Sequence, residues 1–104
     1  DDTLSLPIIA SGGAGVISVV ANALPQQYSR LISSSLNGDL NVAQKHQYQL
    51  FDLINMLFEE GNPAGVKAVL KALDICEENV RLPLIQVSSE LRRRLLSELK
   101  TIIN

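Results

Sequence analysis

The stretch from Gly12 to Asn22 constrains this chain more than any other. It reads Gly-Gly-Ala-Gly-Val-Ile-Ser-Val-Val-Ala-Asn, so a glycine-rich turn runs directly into β-branched apolar residues. Such residues favour strands, and a run that is apolar on both faces is typical of a parallel strand covered on both sides. The pattern predicts a strand over about 15–20 and a helix over about 23–36 with Asn22 as its N-cap.

The predicted strand has no partner within the chain. A strand must pair its backbone N–H and C=O groups, and each buried group left unpaired costs about 1–3 kcal/mol. Every other periodic segment of the sequence predicts a helix. We therefore expect the pairing strands to lie outside these 104 residues, and the chain to be the end of a longer protein.

The second part of the sequence predicts three helices with no strand between them. Apolar residues recur every three or four positions over about 41–60, 63–73 and 88–103. Gly38 is expected to end the helix before them, and polar N-caps are available at Asp39 or Asn41, Asn62 and Ser88. The fold class is mainly α: the last βα unit of a barrel over residues 1–38, plus a C-terminal three-helix domain over residues 39–104.

The remaining segments are short. A helix is expected over Leu4–Ile9, with Thr3 as its cap and the glycines after it as its end. Residues 74–87 are expected to be mostly irregular. Within them, 81–84 should be extended because a proline disfavours the helical region for the residue before it.

Composition and charge exclude several classes of function. A net charge of -2 and a pI near 5.2 give no basis for binding nucleic acid. A membrane span is indicated by about 18 consecutive apolar residues, and the apolar runs of this sequence are far shorter. The single cysteine, Cys76, cannot form an internal disulfide; we expect a small core residue and a reducing compartment.

The residues with chemical potential favour structural roles. His46 shares an apolar helix face with Leu50 and has no carboxylate or serine at helical spacing to form a relay, so it is expected in a core or a subunit interface. The pairs Glu59-Glu60 and Glu77-Glu78 are expected to face solvent, as is Arg92-Arg93-Arg94 with ion pairs to Glu90 and Glu98.

Neither a phosphate loop nor a reactive amine is indicated. The glycines at 12, 13 and 15 precede a strand, whereas phosphate loops follow one and open a helix, so they mark close backbone approach to packed chain or ligand. An amine that forms a Schiff base must be desolvated, and the lysines lie on exposed helices; Lys67 is the one whose stem can pack. No metal site and no cofactor is predicted.

Five motifs, in the right order, resemble the 4-hydroxy-tetrahydrodipicolinate synthase and N-acetylneuraminate lyase family over essentially the whole chain. The motifs are Asp1-Asp2, the run Gly12 to Val19, Ala21-Asn22, Asn62-Pro63 with Val66-Lys67, and Arg81-Leu82-Pro83-Leu84 ahead of Ser88. The chain looks like the C-terminal part of such a synthase.

The resemblance implies a fold and an activity. Members are Schiff-base lyases of the class I aldolase type on a (β/α)8 TIM barrel with a C-terminal helical domain, and are commonly cytoplasmic homotetramers. The implied reaction condenses pyruvate with aspartate semialdehyde in lysine biosynthesis. Residues 15–20 would be the eighth barrel strand. Ile17 would contact bound pyruvate through its backbone and form a pocket wall, and Asp1 would lie near the rim.

The resemblance also implies what the chain lacks. The family's Schiff-base lysine, catalytic tyrosine and carboxylate-binding threonine pair would all lie upstream of Asp1, so no catalytic residue is assigned here and the chain is expected to be inactive alone. Gly65 and Val20 stand where the family often has proline and threonine, and both look like packing variants.

Two alternatives stay open. One is N-acetylneuraminate lyase or another sugar-acid aldolase of the same fold, although the sequence Arg81-Leu82-Pro83-Leu84 favours the synthase. The other is a non-enzymatic helical interaction module, which should melt cooperatively without any further chain.

Overall fold

The computed structural model describes all residues from Asp1 to Asn104 and consists of helices and irregular segments. The five α-helices are α1 (Ser5–Ala10), α2 (Pro25–Leu36), α3 (Leu40–Glu59), α4 (Ala64–Ala72) and α5 (Ser89–Ile103). Two 3-10 turns cover Asp2–Leu4 and Val20–Asn22. None of the helices is both long and apolar enough to cross a membrane.

The chain divides into two compact units, Asp1–Phe51 and Asp52–Asn104. This division lies inside α3, whereas the sequence suggested a boundary after Gly38. The physical reason is that α3 is one continuous helix of 20 residues, so each half of it takes part in a different unit.

The strand predicted over 15–20 is not formed. Residues 13–18 have no regular structure, and the 3-10 turn Val20–Asn22 takes up the end of the range. None of the N–H groups of residues 14–18 donates a hydrogen bond, because a ladder needs a second strand and the chain contains none. Val16 and Ile17 are exposed in consequence, whereas Val20 is completely buried.

In the first unit, α1 packs against α2, and both begin differently from the prediction. Asp1 caps the first turn in place of Thr3, since its side chain accepts from the Thr3 N–H at 2.7 Å. The helix α2 begins at Pro25, which needs no N-cap partner for its missing N–H, and Asn22 instead donates from Nδ2 to the Val19 carbonyl oxygen at 3.0 Å.

The start of α3 agrees with the sequence. Gly38 has a φ of 77°, the left-handed conformation expected after a helix end, and Asp39 Oδ1 accepts from the Val42 N–H at 3.3 Å. Asp39, and not Asn41, is therefore the N-cap of α3. His46 is half-buried in this helix.

In the second unit, α4 packs against α5 and comes very close to the end of α3. A Cβ atom at Gly65 would lie 2.2 Å from the Leu57 carbonyl oxygen, so only glycine fits. The helix α4 begins at Ala64 with Pro63 as N-cap and no side-chain hydrogen bond, which makes the predicted Asn62 cap wrong.

The helix α5 follows the prediction closely. Ser88 Oγ accepts from the Leu91 N–H at 3.2 Å, as expected for its N-cap. Spacings of three and four bring one apolar face into the core, and its buried residues are Leu91, Leu95, Leu99 and Ile102.

The segment between α4 and α5 is irregular, but two expectations about it are wrong. The Leu84 N–H donates to the Arg81 carbonyl oxygen at 3.0 Å, so Leu82 and Pro83 form a turn and not an extended run. Cys76 is exposed and not in the core. The helix ends at Ala72, so helical spacing does not apply to the cysteine four residues later.

The charged residues of the second unit were expected to face solvent, but Arg92, Arg94 and Glu78 are half-buried and make specific pairs. Arg94 donates to both oxygens of Glu59 at 2.6 and 3.0 Å, and Arg92 pairs with Glu78 at 2.8 Å. The predicted partner Glu90 lies 3.8 Å from Arg94. The hydrogen bonds from Arg94 lower the pKa of Glu59.

We predict that Gly65→Ala lowers the free energy of unfolding by about 1–3 kcal/mol, because the added methyl group forces α4 away from the Leu57 backbone. Urea denaturation followed by circular dichroism measures the change. Gly15→Ala is the matched control: nothing lies within 4 Å of its added Cβ, so the effect should stay within about 0.5 kcal/mol. Stabilisation by Gly65→Ala would contradict the close packing.

We also predict a pH dependence centred on Glu60. Its oxygens accept from Ser88 N–H at 2.8 Å and Ser88 Oγ at 2.6 Å, which lowers the pKa of Glu60 below 4.5. The resulting stabilisation is present above pH 4.5 and is lost as the pH falls through the lowered pKa. The stability difference between the parent chain and Glu60→Gln, from urea denaturation, should therefore shrink on acidification; a pH-independent difference would refute the contact.

Candidate functional site

A cavity of about 210 Å³ lies in the first unit and brings together the two site residues that the resemblance suggested. Its lining consists of Asp1, Asp2, Ser5, Ile8, Gly15, Val16 and Ile17. Asp1 and the fully exposed Ile17 both border it, although they are far apart in sequence. The other residues of the lining were not singled out in advance.

Asp2 is the buried acidic residue of this site, with only 4% of its surface exposed. Its Oδ2 accepts from the Val19 N–H at 3.0 Å and from the Val20 N–H at 2.8 Å. These amides lead into the 3-10 turn Val20–Asn22, where backbone N–H groups have no partner within the turn. The carboxylate therefore acts as a cap supplied from a distant part of the sequence.

Tyr28 and Ser5 hold the Asp2 residue in place. The Tyr28 hydroxyl donates to the Asp2 carbonyl oxygen at 3.3 Å and lies 3.4 Å from Asp2 Oδ1. Ser5 Oγ hydrogen bonds to the same hydroxyl, and both side chains are buried. Burial raises the pKa of Tyr28, and the neighbouring Asp2 charge raises it further, so the phenol keeps the proton that it donates.

The polypeptide between Gly13 and Val19 is fixed at both of its ends. At the first end, the Gly13 N–H donates to the Ile8 carbonyl oxygen at 2.9 Å, and a Cβ at Gly13 would lie 2.8 Å from Ile8 Cγ2. At the second end, Asp2 binds the amides of Val19 and Val20. We call residues 14–18 the anchored segment; Ile17 lies within it.

The expectation that the glycines mark a close backbone approach is confirmed at Gly13, where the neighbour is packed chain. It does not hold at Gly15, which has nothing within 4 Å of its Cβ position. Gln47 of α3 adds a further tie, because its Nε2 donates to the Thr3 carbonyl oxygen at 2.8 Å. The first turn of the chain is thereby joined to a helix far along the sequence.

The network around Asp2 was missed by sequence reasoning. One signal was available: a tyrosine on the apolar face of a predicted helix needs a partner for its hydroxyl, and Tyr28 is that residue. The identity of the partner could not be read, since Asp2 and Tyr28 are 26 residues apart.

Two further cavities lie in the second unit and contain no comparable network. One is lined by Lys71, Asp74, Ile75, Cys76 and Glu77, and the other by Asn79, Val80, Leu82, Leu84, Ile85 and Gln86. Lys67 donates from Nζ to the Asn79 carbonyl oxygen, which gives it the structural role expected. No group of three or more His, Cys, Asp or Glu side chains converges as a metal site.

Comparison with known proteins shows the family. The profile described as "Dihydrodipicolinate synthetase family" matches residues 1–102. This chain belongs to that family. The 4-hydroxy-tetrahydrodipicolinate synthase of Flavobacterium psychrophilum is 42% identical over 95 residues, covering 91% of this chain and 32% of its own length. That of Aquifex aeolicus is 43% identical over 100 residues, covering 96% of this chain and 34% of its own length.

Solved dihydrodipicolinate synthases have the same backbone. The structure from Thermotoga maritima superposes with a TM-score of 0.94 at 34% identity, covering 98% of this chain and 35% of that one. The structure from Aquifex aeolicus superposes with a TM-score of 0.92 at 42% identity, and the match covers 97% of this chain and 34% of that one. The chain thus spans about a third of the length of the dihydrodipicolinate synthases that it matches. These relatives do not favour the sugar-acid aldolase or the non-enzymatic module.

We predict that Asp2→Ala lowers the free energy of unfolding by about 1–3 kcal/mol, because it leaves the Val19 and Val20 amides without their acceptor. Asp2→Asn keeps a carbonyl oxygen in the same place and should lose less than half as much. Urea denaturation compares the two variants. Equal losses would show that charge matters here and the hydrogen bonds do not.

The alkaline titration of Tyr28 offers a separate check. Because burial keeps the folded-state pKa of Tyr28 above 10.0, the unfolded chain loses its proton first, and stability should fall as the pH rises through 10.0 towards the folded-state value. In a Tyr48→Phe variant, Tyr28 is the single tyrosine, so phenolate absorbance reports it alone. A midpoint at or below 10.0 in the folded chain would contradict the buried network.

Proposed function

We propose that this chain forms the C-terminal third of a 4-hydroxy-tetrahydrodipicolinate synthase, a Schiff-base lyase that condenses pyruvate with aspartate semialdehyde in lysine biosynthesis. The observation that carries the proposal is the match over residues 1–102, together with TM-scores above 0.9 to solved synthases at 34% and 42% identity. Identity at this level over nearly the whole chain supports shared chemistry as well as a shared fold.

In the proposed enzyme, the anchored segment is part of the eighth strand of the barrel. This accounts for its N–H groups, which donate no hydrogen bond here and would pair with neighbouring strands. Residues at the C-terminal ends of barrel strands line the active site in this fold. Ile17 would then form a wall of the pyruvate pocket, and Asp1 would lie at its rim, consistent with the cavity that they share.

The lysines of this chain are poor candidates for the Schiff-base amine. Lys45 and Lys100 are exposed, whereas such an amine must be desolvated to stay neutral. Lys67 is committed to the Asn79 carbonyl oxygen. Lys71 pairs with Glu77 at 2.6 Å, and this hydrogen bond raises the pKa of Lys71, so the amine stays protonated and is not a nucleophile. We therefore assign the amine to the remainder of the synthase and expect the chain by itself to be catalytically inactive.

The partners follow from the same proposal. Pyruvate is the first substrate, and the related synthase of Acinetobacter baumannii, 30% identical with a TM-score of 0.92, has been solved as a complex with pyruvate. We propose a cytoplasmic homotetramer. Assembly is not uniform among the solved relatives, since one of them, 36% identical, is described as a monomeric variant.

A chimera tests the proposal. The matching 100 residues of the Aquifex aeolicus synthase are replaced by those of this chain, and the product is assayed for condensation of pyruvate with aspartate semialdehyde. We expect activity, and a pyruvate adduct after borohydride reduction, detected by mass. The controls are the Aquifex aeolicus protein without that third and this chain alone, both of which should give neither. A folded chimera that forms no adduct would overturn the proposal.

A further inference from the structure

We propose that Asp2 is a positioning residue for the reaction: its buried carboxylate, through the N–H groups of Val19 and Val20, holds the backbone that presents Ile17 to the substrate. This inference rests on the proposed function, in which Ile17 lines the pyruvate pocket. Asp2 is not proposed as a catalytic residue, because it acts through the backbone and not on the reacting atoms.

The anchored segment depends on its ends. Its N–H groups donate no hydrogen bond within the chain. Its last residue, Ser18, is joined to the turn that follows, because Ser18 Oγ accepts from the Ala21 N–H at 3.0 Å and the Ser18 carbonyl oxygen accepts from Asn22 Nδ2 at 3.3 Å. Ile17 lies two residues from Val19, at most about 7 Å along an extended chain, so the Asp2 contact restricts the backbone directly next to Ile17.

The two ends are held in different ways. At Gly13 the tie is a backbone hydrogen bond to the Ile8 carbonyl oxygen, which no side-chain substitution removes directly. At Val19 and Val20 the tie is one side chain, and a single oxygen of Asp2 serves both amides at 3.0 and 2.8 Å. Asp2 therefore connects the end of the segment nearest Ile17 to a residue far away in the sequence.

The surroundings of Asp2 are those of a rigid anchor. Ser5 and Tyr28 are each only 2% exposed, and the Tyr28 hydroxyl contacts the main chain and side chain of Asp2. Placement on rigid, packed elements is what holding a group to a fraction of an ångström requires. Asp2 also borders the same cavity as Ile17, so its anchoring acts directly beside the proposed pocket.

A positioning role and a purely structural role predict different kinetics. Loss of a cap lowers the amount of folded enzyme, which reduces apparent kcat but leaves KM unchanged. Movement of a pocket wall weakens a contact made in both the ground state and the transition state, and this raises KM for pyruvate. A misplacement of about 1 Å can cost up to about a hundredfold.

The test uses the chimeric synthase with substitutions at position 2. We expect Asp2→Ala to raise KM for pyruvate about tenfold or more, and Asp2→Asn, which keeps an acceptor for both amides, to restore KM to within about threefold of the parent. Leu31→Ala is the matched control: Leu31 is completely buried in the same unit and borders no part of the cavity, so its variant should melt earlier with an unchanged KM.

The outcomes separate the two proposals. An inactive parent chimera overturns the proposed function, and this inference falls with it. An active chimera in which Asp2→Ala has the parent KM overturns the positioning role alone. Should Asp2→Ala leave no folded enzyme, Asp2→Glu decides, because it keeps the charge but moves the acceptor: a raised KM supports the inference, and an unchanged KM refutes it.

Discussion

The unpaired backbone of residues 14–18 is the constraint on which the rest of the first unit depends. A strand-forming sequence without a neighbouring strand cannot fix its own course, and here none of its N–H groups donates a hydrogen bond. The course is fixed from outside, by the Ile8 carbonyl oxygen at one end and the Asp2 carboxylate at the other. Burying a carboxylate is unfavourable unless it is hydrogen bonded, and the two amides together with Tyr28 meet that condition.

The second unit is stabilised by ordinary helical means. The absence of a side chain at Gly65 lets α4 approach the backbone of Leu57, and an apolar face of α5 is buried. Ser88 caps the N-terminus of α5 and also binds Glu60, which directly follows α3. Arg94 of α5 binds Glu59, the last residue of α3. The polar groups at the end of α3 and at the start of α5 therefore have partners. Exposed pairs of this kind contribute little each, and the buried apolar face carries most of the stability.

The predictions from sequence succeeded where the interacting residues are close together in the chain, and they failed where those residues are far apart. The helices α3 and α5, with the Asp39 and Ser88 caps, follow from patterns within a few residues, and those predictions were close. The strand at 15–20 is not formed in this chain because pairing is not local, and the sequence itself indicated that the partner strands lie outside these residues. Cys76 was misplaced because it lies beyond the end of α4, where no helix turns its side chain towards the core. The contact between Asp2 and Tyr28 spans 26 residues and leaves no local pattern. Asp1 and Ile17 came from family resemblance alone, and their roles remain proposals.

Amide hydrogen exchange tests the central claim most directly, since it reads each N–H separately. In this chain the Val19 and Val20 amides should be protected by Asp2, while those of residues 14–18 exchange as fast as unstructured peptide. In the chimeric synthase, the same residues should become protected as barrel strands pair with them. Protection of residues 14–18 in the isolated chain, or its absence in a folded chimera, would contradict the account of a strand held by its ends and completed by the rest of the enzyme.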